Sequence, residues 1–145
     1  MAEPSDPPSP LEEAVARVGD RWALLIVSAL LDGPRRFNDL QADVGGIAPN
    51  VLTQRLRSLE QHGVVVANPY SRRPPRFVYQ LTAAGAELAG ALRLLAQWGA
   101  GQSPDSVEPL RHPACGTPME ARWYCPTCGV VEGPGAAAED DVRFL

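Results

Sequence analysis

The chain contains no lysine, and all 13 of its basic residues are arginine. It also lacks a long hydrophobic run: the longest, WALLIVSALL at 22–31, has about half of the roughly 20 residues that span a bilayer. The amino-terminal MAEPSDPPSP carries no apolar run of the kind that a signal peptide needs. These absences exclude a membrane helix and predict a cytoplasmic protein with a disordered leader at residues 1–8.

The sequence has equally little that indicates catalysis. It contains no nucleophile motif, phosphate-binding loop or paired carboxylates. His62 stands at the end of a helical pattern, where its ring can interact with the last carbonyl groups of that helix. We therefore predict that the protein is not an enzyme.

Charge is distributed unevenly along the chain. The formal net charge is −4, yet residues 21–76 carry eight arginines against four acidic residues, and both flanking segments are acidic. A basic middle between acidic ends is typical of a protein with one local surface that binds polyanions.

Helical patterns occupy the first part of the chain. The SPLE motif that starts at Ser9 is the signature of a capped helix start, and a second helix should follow Asp20. A short third helix is expected to begin after Asn38, a good N-cap, and a fourth to run over about 49–62. The fourth helix has leucines at helical spacing, which leaves its other face polar.

The pattern then changes to a β-hairpin followed by a last helix. VVVAN at 64–68 and RFVYQL at 76–81 are rich in β-branched and aromatic residues, and they flank a turn that contains prolines. Thr82 can cap a long final helix. The apolar stripe of that helix comprises Leu88, Ala91, Leu92, Leu95 and Trp98. This stripe fits core packing and a dimer interface equally well.

A short helix, a tight turn, a second helix with a polar outer face and a basic hairpin follow the order of a winged helix-turn-helix. In the second helix, the amides of Asn50 and Gln54 can donate and accept together on adenine. Arg57 can pair with guanine or a phosphate, and Thr53 can reach either a base or a phosphate. Each side chain alone is compatible with ordinary exposed helix surface, so the prediction of DNA binding depends on the joint pattern.

The predicted wing, residues 69–76, contains the motif SRRPPR. Its guanidinium groups, on Arg72, Arg73 and Arg76, can follow the phosphates or enter a minor groove narrowed by A and T steps. The prolines stiffen the turn, so that less conformational entropy is lost on docking. If about four to six phosphates are neutralised per monomer, the log–log salt slope should be about −0.9 for each phosphate.

Two long stretches resemble a known family. Residues 19–65, with GPRRF and LTQRLRSLE, and residues 73–85, with PPRxxYxLTxxG, are similar to the HxlR-type winged helix-turn-helix transcriptional regulators, relatives of the MarR type. The resemblance covers about residues 9–98. It implies a homodimer held by the first and last helices, acting as a repressor on a pseudo-palindromic double-stranded DNA operator. It also implies DNA contacts from Arg36 and Arg55.

One position departs from that family. Many members carry a Cys-Pro pair at the start of the first helix, and in some of them this thiol senses oxidants or electrophiles. The present chain has Ser9-Pro10 at the corresponding place. We therefore do not expect that redox mechanism here.

The carboxy-terminal part contains two similar motifs with the spacing of metal ligands. HPACG supplies His112 and Cys115, and CPTCG supplies Cys125 and Cys128. This spacing lets backbone amides turn toward the sulfur atoms, and two such turns can complete a tetrahedral zinc site. We predict structural zinc held by all four side chains. The alternatives are an exposed dithiol with an incidental histidine, and a degenerate ribbon that holds no metal.

Together these patterns predict an α+β fold that is mainly α: a winged helix-turn-helix with terminal dimerisation helices and a small zinc-ribbon-like hairpin. The expected segments are the DNA-binding and dimerisation domain at 9–98, a linker at 99–110, the zinc-ribbon-like segment at 111–131 and a flexible acidic tail at 132–145. Two other functions stay open. One is a thiol- or zinc-based redox or metal sensor acting through the three cysteines, and the other is a protein-interaction module. No residue points to a small-molecule effector.

Overall fold

The computed structural model describes residues 7–102, 108 and 110–132. The predictions for the remaining residues, which include most of the leader, part of the linker and nearly all of the acidic tail, lie outside the described residues. The chain divides into two compact units, residues 1–92 and 93–145. None of the described helices has both the length and the apolar composition needed to cross a bilayer.

The elements follow the predicted winged helix-turn-helix order, which confirms the fold class. In chain order they are α1 (Pro10–Val18), α2 (Arg21–Leu31), β1 (Arg35–Arg36), α3 (Phe37–Asp43), α4 (Pro49–Gln61), β2 (Val65–Arg72), β3 (Pro75–Leu81), α5 (Ala83–Ala86), α6 (Ala89–Gln102), β4 (Trp123–Cys125) and β5 (Val130–Glu132). The pair α3–α4 is the helix-turn-helix, and β2–β3 is the wing.

Helices α1 and α2 begin where the capping signals predict. The Glu12 backbone N–H donates to the Ser9 hydroxyl at 3.3 Å, and the Ser9 backbone N–H donates to the Glu12 carboxylate at 2.7 Å. The latter hydrogen bond holds the pKa of Glu12 below its usual value. At the start of α2, Asp20 accepts hydrogen bonds from the backbone N–H groups of Trp22 and Ala23. Both helix starts therefore have their unpaired backbone donors satisfied by local side chains.

The core of the first unit fixes the orientation of α4. Leu52, Leu56 and Leu59 are at most 1% exposed and pack in one apolar cluster with Ile26 and Leu40. Their spacing places all three leucines on one face of α4. The opposite face, which carries the predicted base-contacting side chains, is therefore turned to solvent.

A three-stranded sheet has the strand order β1–β3–β2. The outer strand β1 is only two residues long, and Arg35 and Arg36 pair antiparallel with Tyr79 and Val78 of β3. No sequence pattern predicts so short a strand, because its alternation cannot be read from two residues.

The short strand β1 also shifts the start of α3. The helix begins at Phe37, directly after the strand, so the prediction of Asn38 as its N-cap was wrong. The backbone N–H of Arg36 donates instead to the Asp39 carboxylate at 3.3 Å. Strand pairing of Arg36 fixes the backbone there, and this places the helix start two residues earlier than predicted.

The strands of the wing hairpin extend further toward its turn than the predicted segments at 64–68 and 76–81. Its strands pair from Val65 with Leu81 up to Arg72 with Pro75, and the register is interrupted between Pro69 and Ser71. The connecting turn therefore shortens to residues 73–74, whose peptide bond is cis. Pro69 fits this arrangement because β2 is an edge strand, where one strand side needs no hydrogen-bond donor.

The last helix differs from its prediction in two ways. Thr82 caps it as expected, accepting a hydrogen bond from the Gly85 backbone N–H at 3.0 Å. The helix is not continuous, however: α5 ends at Ala86 and a turn separates it from α6. Moreover, α6 continues to Gln102, so that it includes the first four residues of the predicted linker at 99–110.

The predicted apolar stripe has two parts. Leu88, in the turn before α6, and Leu92 are partly buried against the core of the first unit. Leu95 and Trp98 are 51% and 68% exposed. Core packing therefore accounts for the beginning of the stripe, and its remaining part lies on the surface of this chain.

Gly85 occupies a position that no larger residue fits. The backbone N–H of Thr82 donates to the Val64 carbonyl oxygen at 3.0 Å, and the Thr82 hydroxyl donates to the Gly63 carbonyl oxygen at 2.6 Å. These bonds draw α5 against the start of β2, so that a Cβ on Gly85 would overlap the Val64 carbonyl group. The LTxxG motif thus encodes the contact between α5 and the wing.

A Gly85→Ala variant should lower the free energy of unfolding by about 1–3 kcal/mol, because the backbone must shift to relieve the overlap. Gly90→Ala is the matched control, since a Cβ there meets no atom within 4 Å. In α6 that control should be neutral or stabilise by up to about 1 kcal/mol. Urea unfolding of both variants at one protein concentration measures the difference. Equal midpoints would contradict the proposed close contact.

Candidate nucleic-acid interface

The solvent-facing side of α4 carries three of the predicted base-contacting residues. Asn50, Gln54 and Arg57 are all exposed, and helical spacing brings them onto one face. Thr53 lies on the edge of this face and is half-buried. Its hydroxyl donates to the Pro49 carbonyl oxygen at 2.9 Å, which leaves the oxygen lone pairs free to accept a hydrogen bond from a donor on a base.

Arg55 is separate from this face. Its Nε lies 3.4 Å from Oδ1 of Asp20, the residue that caps α2. The atom is buried and forms no well-aligned hydrogen bond, so the contact is an ion pair only. In this arrangement Arg55 joins α4 to the start of α2. A sequence cannot show this, because the two residues are 35 positions apart.

The three predicted wing arginines are exposed around the tip of the β2–β3 hairpin. Arg72 and Arg76 lie on opposite strands, and Arg73 lies in the turn. The Ser71 hydroxyl donates to the Pro74 carbonyl oxygen at 2.9 Å and closes this turn. In the part of the chain that the structure describes, none of the three arginines forms an ion pair. Their charges are therefore available to an external anion.

The two arginines of GPRRF have different surroundings. Arg35 is half-buried. Its Nε lies 3.0 Å from the Asp43 carboxylate, and its Nη1 donates to the carbonyl oxygens of Gly33 and Pro34. Arg36 is exposed, and its guanidinium lies over the ring of Tyr70 at 4.8 Å from the centroid. Of these two arginines, only Arg36, the predicted DNA contact, is exposed and without an ion pair among the described residues.

Tyr70 is the candidate residue that the sequence reasoning missed. It lies where the β2–β3 register is interrupted, and such irregularities commonly redirect a side chain. Together with Arg36, Asn38, Arg76 and Phe77 it lines a cleft of about 490 Å³ between the start of α3 and the wing. Its aromatic ring within a basic hairpin was the available signal, since aromatic and arginine side chains together favour nucleic-acid surfaces.

Tyr79 lies on β3 of the wing, where it contributes to the same cleft and to a smaller one that α4 also lines, beside Arg57. Burial raises the pKa of its phenol, and the nearby Glu60 carboxylate raises it further. The phenol therefore stays neutral, and it can act as a hydrogen-bond donor but adds no negative charge to the basic surface.

The four predicted metal ligands lie in the second unit, on two separate hairpin tips. Nδ1 of His112 is 3.4 Å from Sγ of Cys115, while Cys125 ends β4 and Cys128 lies in the turn that leads to β5. All three cysteines are exposed. Among the described residues, no three His, Cys, Asp or Glu side chains are close enough to hold a metal. The structure therefore brings these ligands together as two pairs and not as one set of four.

Local hydrogen bonds favour the thiolate form at two of these cysteines. The Thr117 side chain, and then its backbone N–H, hold the pKa of Cys115 below its usual value. The backbone N–H groups of Cys128 and Thr127 do the same for the pKa of Cys125. Backbone amides thus turn toward the first sulfur of the second motif, as its spacing predicts.

Comparison with known proteins places this fold in a family. Residues 17–106 match the HxlR-like helix-turn-helix family. The uncharacterised HTH-type transcriptional regulator Rv3095 of Mycobacterium tuberculosis is 40% identical over 119 residues, which are 80% of this chain and 75% of that protein. YtfH of Escherichia coli, also an uncharacterised HTH-type transcriptional regulator, is 37% identical over 61% of this chain and 71% of its own length.

Solved structures agree with this placement. PA1607, a candidate transcription factor, is 32% identical with a TM-score of 0.76, covering 97% of this chain and 96% of its own. The redox regulator HypR in its oxidised form is 29% identical with a TM-score of 0.61, covering 66% of this chain and 98% of its own. The chain therefore belongs to the HxlR-like family of helix-turn-helix transcriptional regulators.

Proposed function

We propose that the protein is a dimeric, sequence-specific DNA-binding repressor that works in the cytoplasm by occupying an operator and not by catalysis. The observation that carries this proposal is the surface of the first unit. There, the exposed polar face of α4, the wing arginines and Arg36 present hydrogen-bond donors and positive charge, and none of these arginines forms an ion pair with a described residue.

In this proposal α4 enters the major groove. An α-helix fits that groove, and the residues nearest the start of a recognition helix meet the base edges. Asn50 and Gln54 lie in the first half of α4 and would read adenine through paired amide hydrogen bonds. Arg57 lies one further turn along the same face, where it would contact guanine or a phosphate.

The wing would bind the DNA backbone. Its three arginines lie around one turn that Ser71 closes, so the charged tip has a defined shape before it meets DNA. Arg36 stacks on Tyr70 beside this wing and would contact the adjoining phosphates. Arg55 would be a positioning residue, because its ion pair with Asp20 connects α4 to the start of α2.

Dimerisation is supported by apolar side chains that the single chain leaves exposed. On α1, Leu11 and Val15 are 65% and 56% exposed. On α6, Leu95 and Trp98 are 51% and 68% exposed. Exposed apolar groups of this size favour association, and a second copy of the chain would cover them and supply the second recognition helix.

A Leu95→Glu variant should therefore be monomeric and should lose operator binding, because a buried carboxylate has no partner in an apolar interface. Gln97→Glu is the control: it adds the same charge to the same helix, but helical spacing places position 97 on the side of α6 opposite Leu92 and Leu95. Analytical ultracentrifugation gives the mass of each variant. DNase footprinting on DNA upstream of the gene should show, for the wild type and the control, two half-sites about 10 bp apart or a multiple of that distance.

A Leu95→Glu variant that is still dimeric would contradict the proposed interface, but it would not contradict DNA binding by the protein. A wild-type protein that protects no region of the upstream DNA would contradict the operator, and would favour a protein-interaction module instead.

A further inference from the structure

We propose that the two hairpin tips of the second unit close on one zinc ion, held by His112, Cys115, Cys125 and Cys128. The proposal is independent of DNA binding. Each tip already has the geometry of half a site, so that metal binding requires the approach of two preformed pairs and not the folding of either turn.

The two tips have the same backbone geometry. In the first, the Gly116 N–H donates to the His112 carbonyl oxygen at 2.8 Å, and in the second the Gly129 N–H donates to the Cys125 carbonyl oxygen at 2.9 Å. Both glycines are in the left-handed region, at φ 68° and 69°. A side chain would be strained there, which explains why each motif ends in glycine. Such a turn directs its first and fourth side chains to one side.

The ligand pair of the first tip already has the spacing of a coordination edge. Zinc bonds of about 2.0 Å to nitrogen and 2.3 Å to sulfur, at a tetrahedral angle, place the two atoms about 3.5 Å apart. The observed distance between Nδ1 of His112 and Sγ of Cys115 is 3.4 Å. The pair can therefore bind the ion with little rearrangement.

Each tip is supported by its own hairpin. Residues Arg111 and Pro118 form a β-bridge behind the first tip, and the His112 backbone N–H donates to the Thr117 carbonyl oxygen at 2.9 Å. Behind the second tip, β4 and β5 pair from Cys125 with Val130 to Trp123 with Glu132. Two ligand-bearing hairpins of this kind are the arrangement of a zinc ribbon.

The described residues of the second unit form no apolar core that could hold the hairpins together. No described residue from 93 to 132 is buried, and Trp123, Tyr124 and Val131 are 70%, 62% and 58% exposed. Segments of this size commonly depend on a metal for their tertiary structure. Three thiolates and one imidazole form a Cys₃His set, which leaves zinc no open position and so gives it a structural role.

Cobalt titration of the full chain tests this inference. Protein purified under reducing conditions, stripped with a chelator and titrated with Co²⁺ should bind one equivalent per chain. Its absorption should show the intense bands of tetrahedral cobalt with sulfur-to-metal charge transfer, and one equivalent of Zn²⁺ should abolish them. His112→Gln, Cys115→Ser, Cys125→Ser and Cys128→Ser should each weaken cobalt binding by more than about a hundredfold, because outer-shell partners alone contribute about 10–100-fold.

Two control variants separate the site from general effects. His62→Gln removes the other histidine, which lies at the end of α4, and Thr127→Ala changes the second tip without removing a ligand. Both should bind cobalt as the wild type does. Absence of tetrahedral cobalt, or binding that His112→Gln and Cys115→Ser leave unchanged, would overturn the proposal and leave an isolated dithiol. One cobalt per two chains would overturn it as well.

Discussion

An Asn50→Ala/Gln54→Ala variant should lose its preference for the operator over scrambled DNA by at least about a hundredfold, while its binding to scrambled DNA stays within about twofold of the wild type. Each bidentate amide contact to adenine contributes about 1–3 kcal/mol of discrimination, and a dimer makes each contact twice. Nonspecific binding depends mainly on phosphate contacts, which this variant retains. Competition titrations with both DNAs measure the ratio.

Gln61→Ala is the control for that variant. Gln61 is also an exposed amide on α4, but it lies at the last residue of the helix, away from the end that meets the base edges. It should keep the wild-type preference. If the double variant discriminates as well as the wild type, α4 does not read bases through these amides, and the specificity must come from another element or from DNA shape.

The second large effect is expected at the wing. An Arg72→Ala/Arg73→Ala variant should bind operator and scrambled DNA more weakly to a similar degree, and its log–log salt slope should be smaller by about 1.8 per monomer. The reason is that both guanidinium groups lie at an exposed turn without an ion-pair partner among the described residues. Affinities measured at several salt concentrations give the slope.

An Arg17→Ala/Arg122→Ala variant provides the charge-matched control, because it also removes two arginines. Arg17 pairs with Glu13 and Arg122 with Glu120, so neither charge is free to meet a phosphate. Its salt slope should equal that of the wild type. Equal slopes in the control and the wing variant would mean that the wing does not contact phosphates.

Sequence reasoning located the elements whose signals are local. The capping box at Ser9, the Asp20 cap and the leucine spacing of α4 each lie within a few residues, and all three predictions are confirmed. The short strand β1 was not predicted, because it exists only through pairing with residues of β3 that lie more than 40 positions later. The same pairing moved the start of α3.

In the candidate site, too, local sequence patterns predicted some features, and others depended on tertiary contacts. Exposure of Asn50, Gln54 and Arg57 could be predicted, because burial of the leucines determines which face of α4 is outward. The ion pair of Arg55 with Asp20 and the stacking of Arg36 on Tyr70 could not, since both depend on tertiary contacts.

The metal-ligand motifs illustrate a further limit. Spacing alone predicted two tight turns, and both turns have the same backbone geometry in the structure. It did not predict that the pairs would stand apart, because the approach of two hairpins depends on contacts beyond either motif. A zinc site therefore requires the two ligand-bearing hairpins to approach each other.

The measurement that tests the central claim most directly is a fluorescence-anisotropy titration of the wild-type protein. Labelled DNA from upstream of its gene and a scrambled duplex of the same composition are compared at several salt concentrations. The account predicts tight binding to the upstream DNA, much weaker binding to the scrambled duplex, and a slope of about −0.9 for each neutralised phosphate. Equal, weak and salt-insensitive binding to both duplexes would contradict a sequence-specific DNA-binding function for this chain.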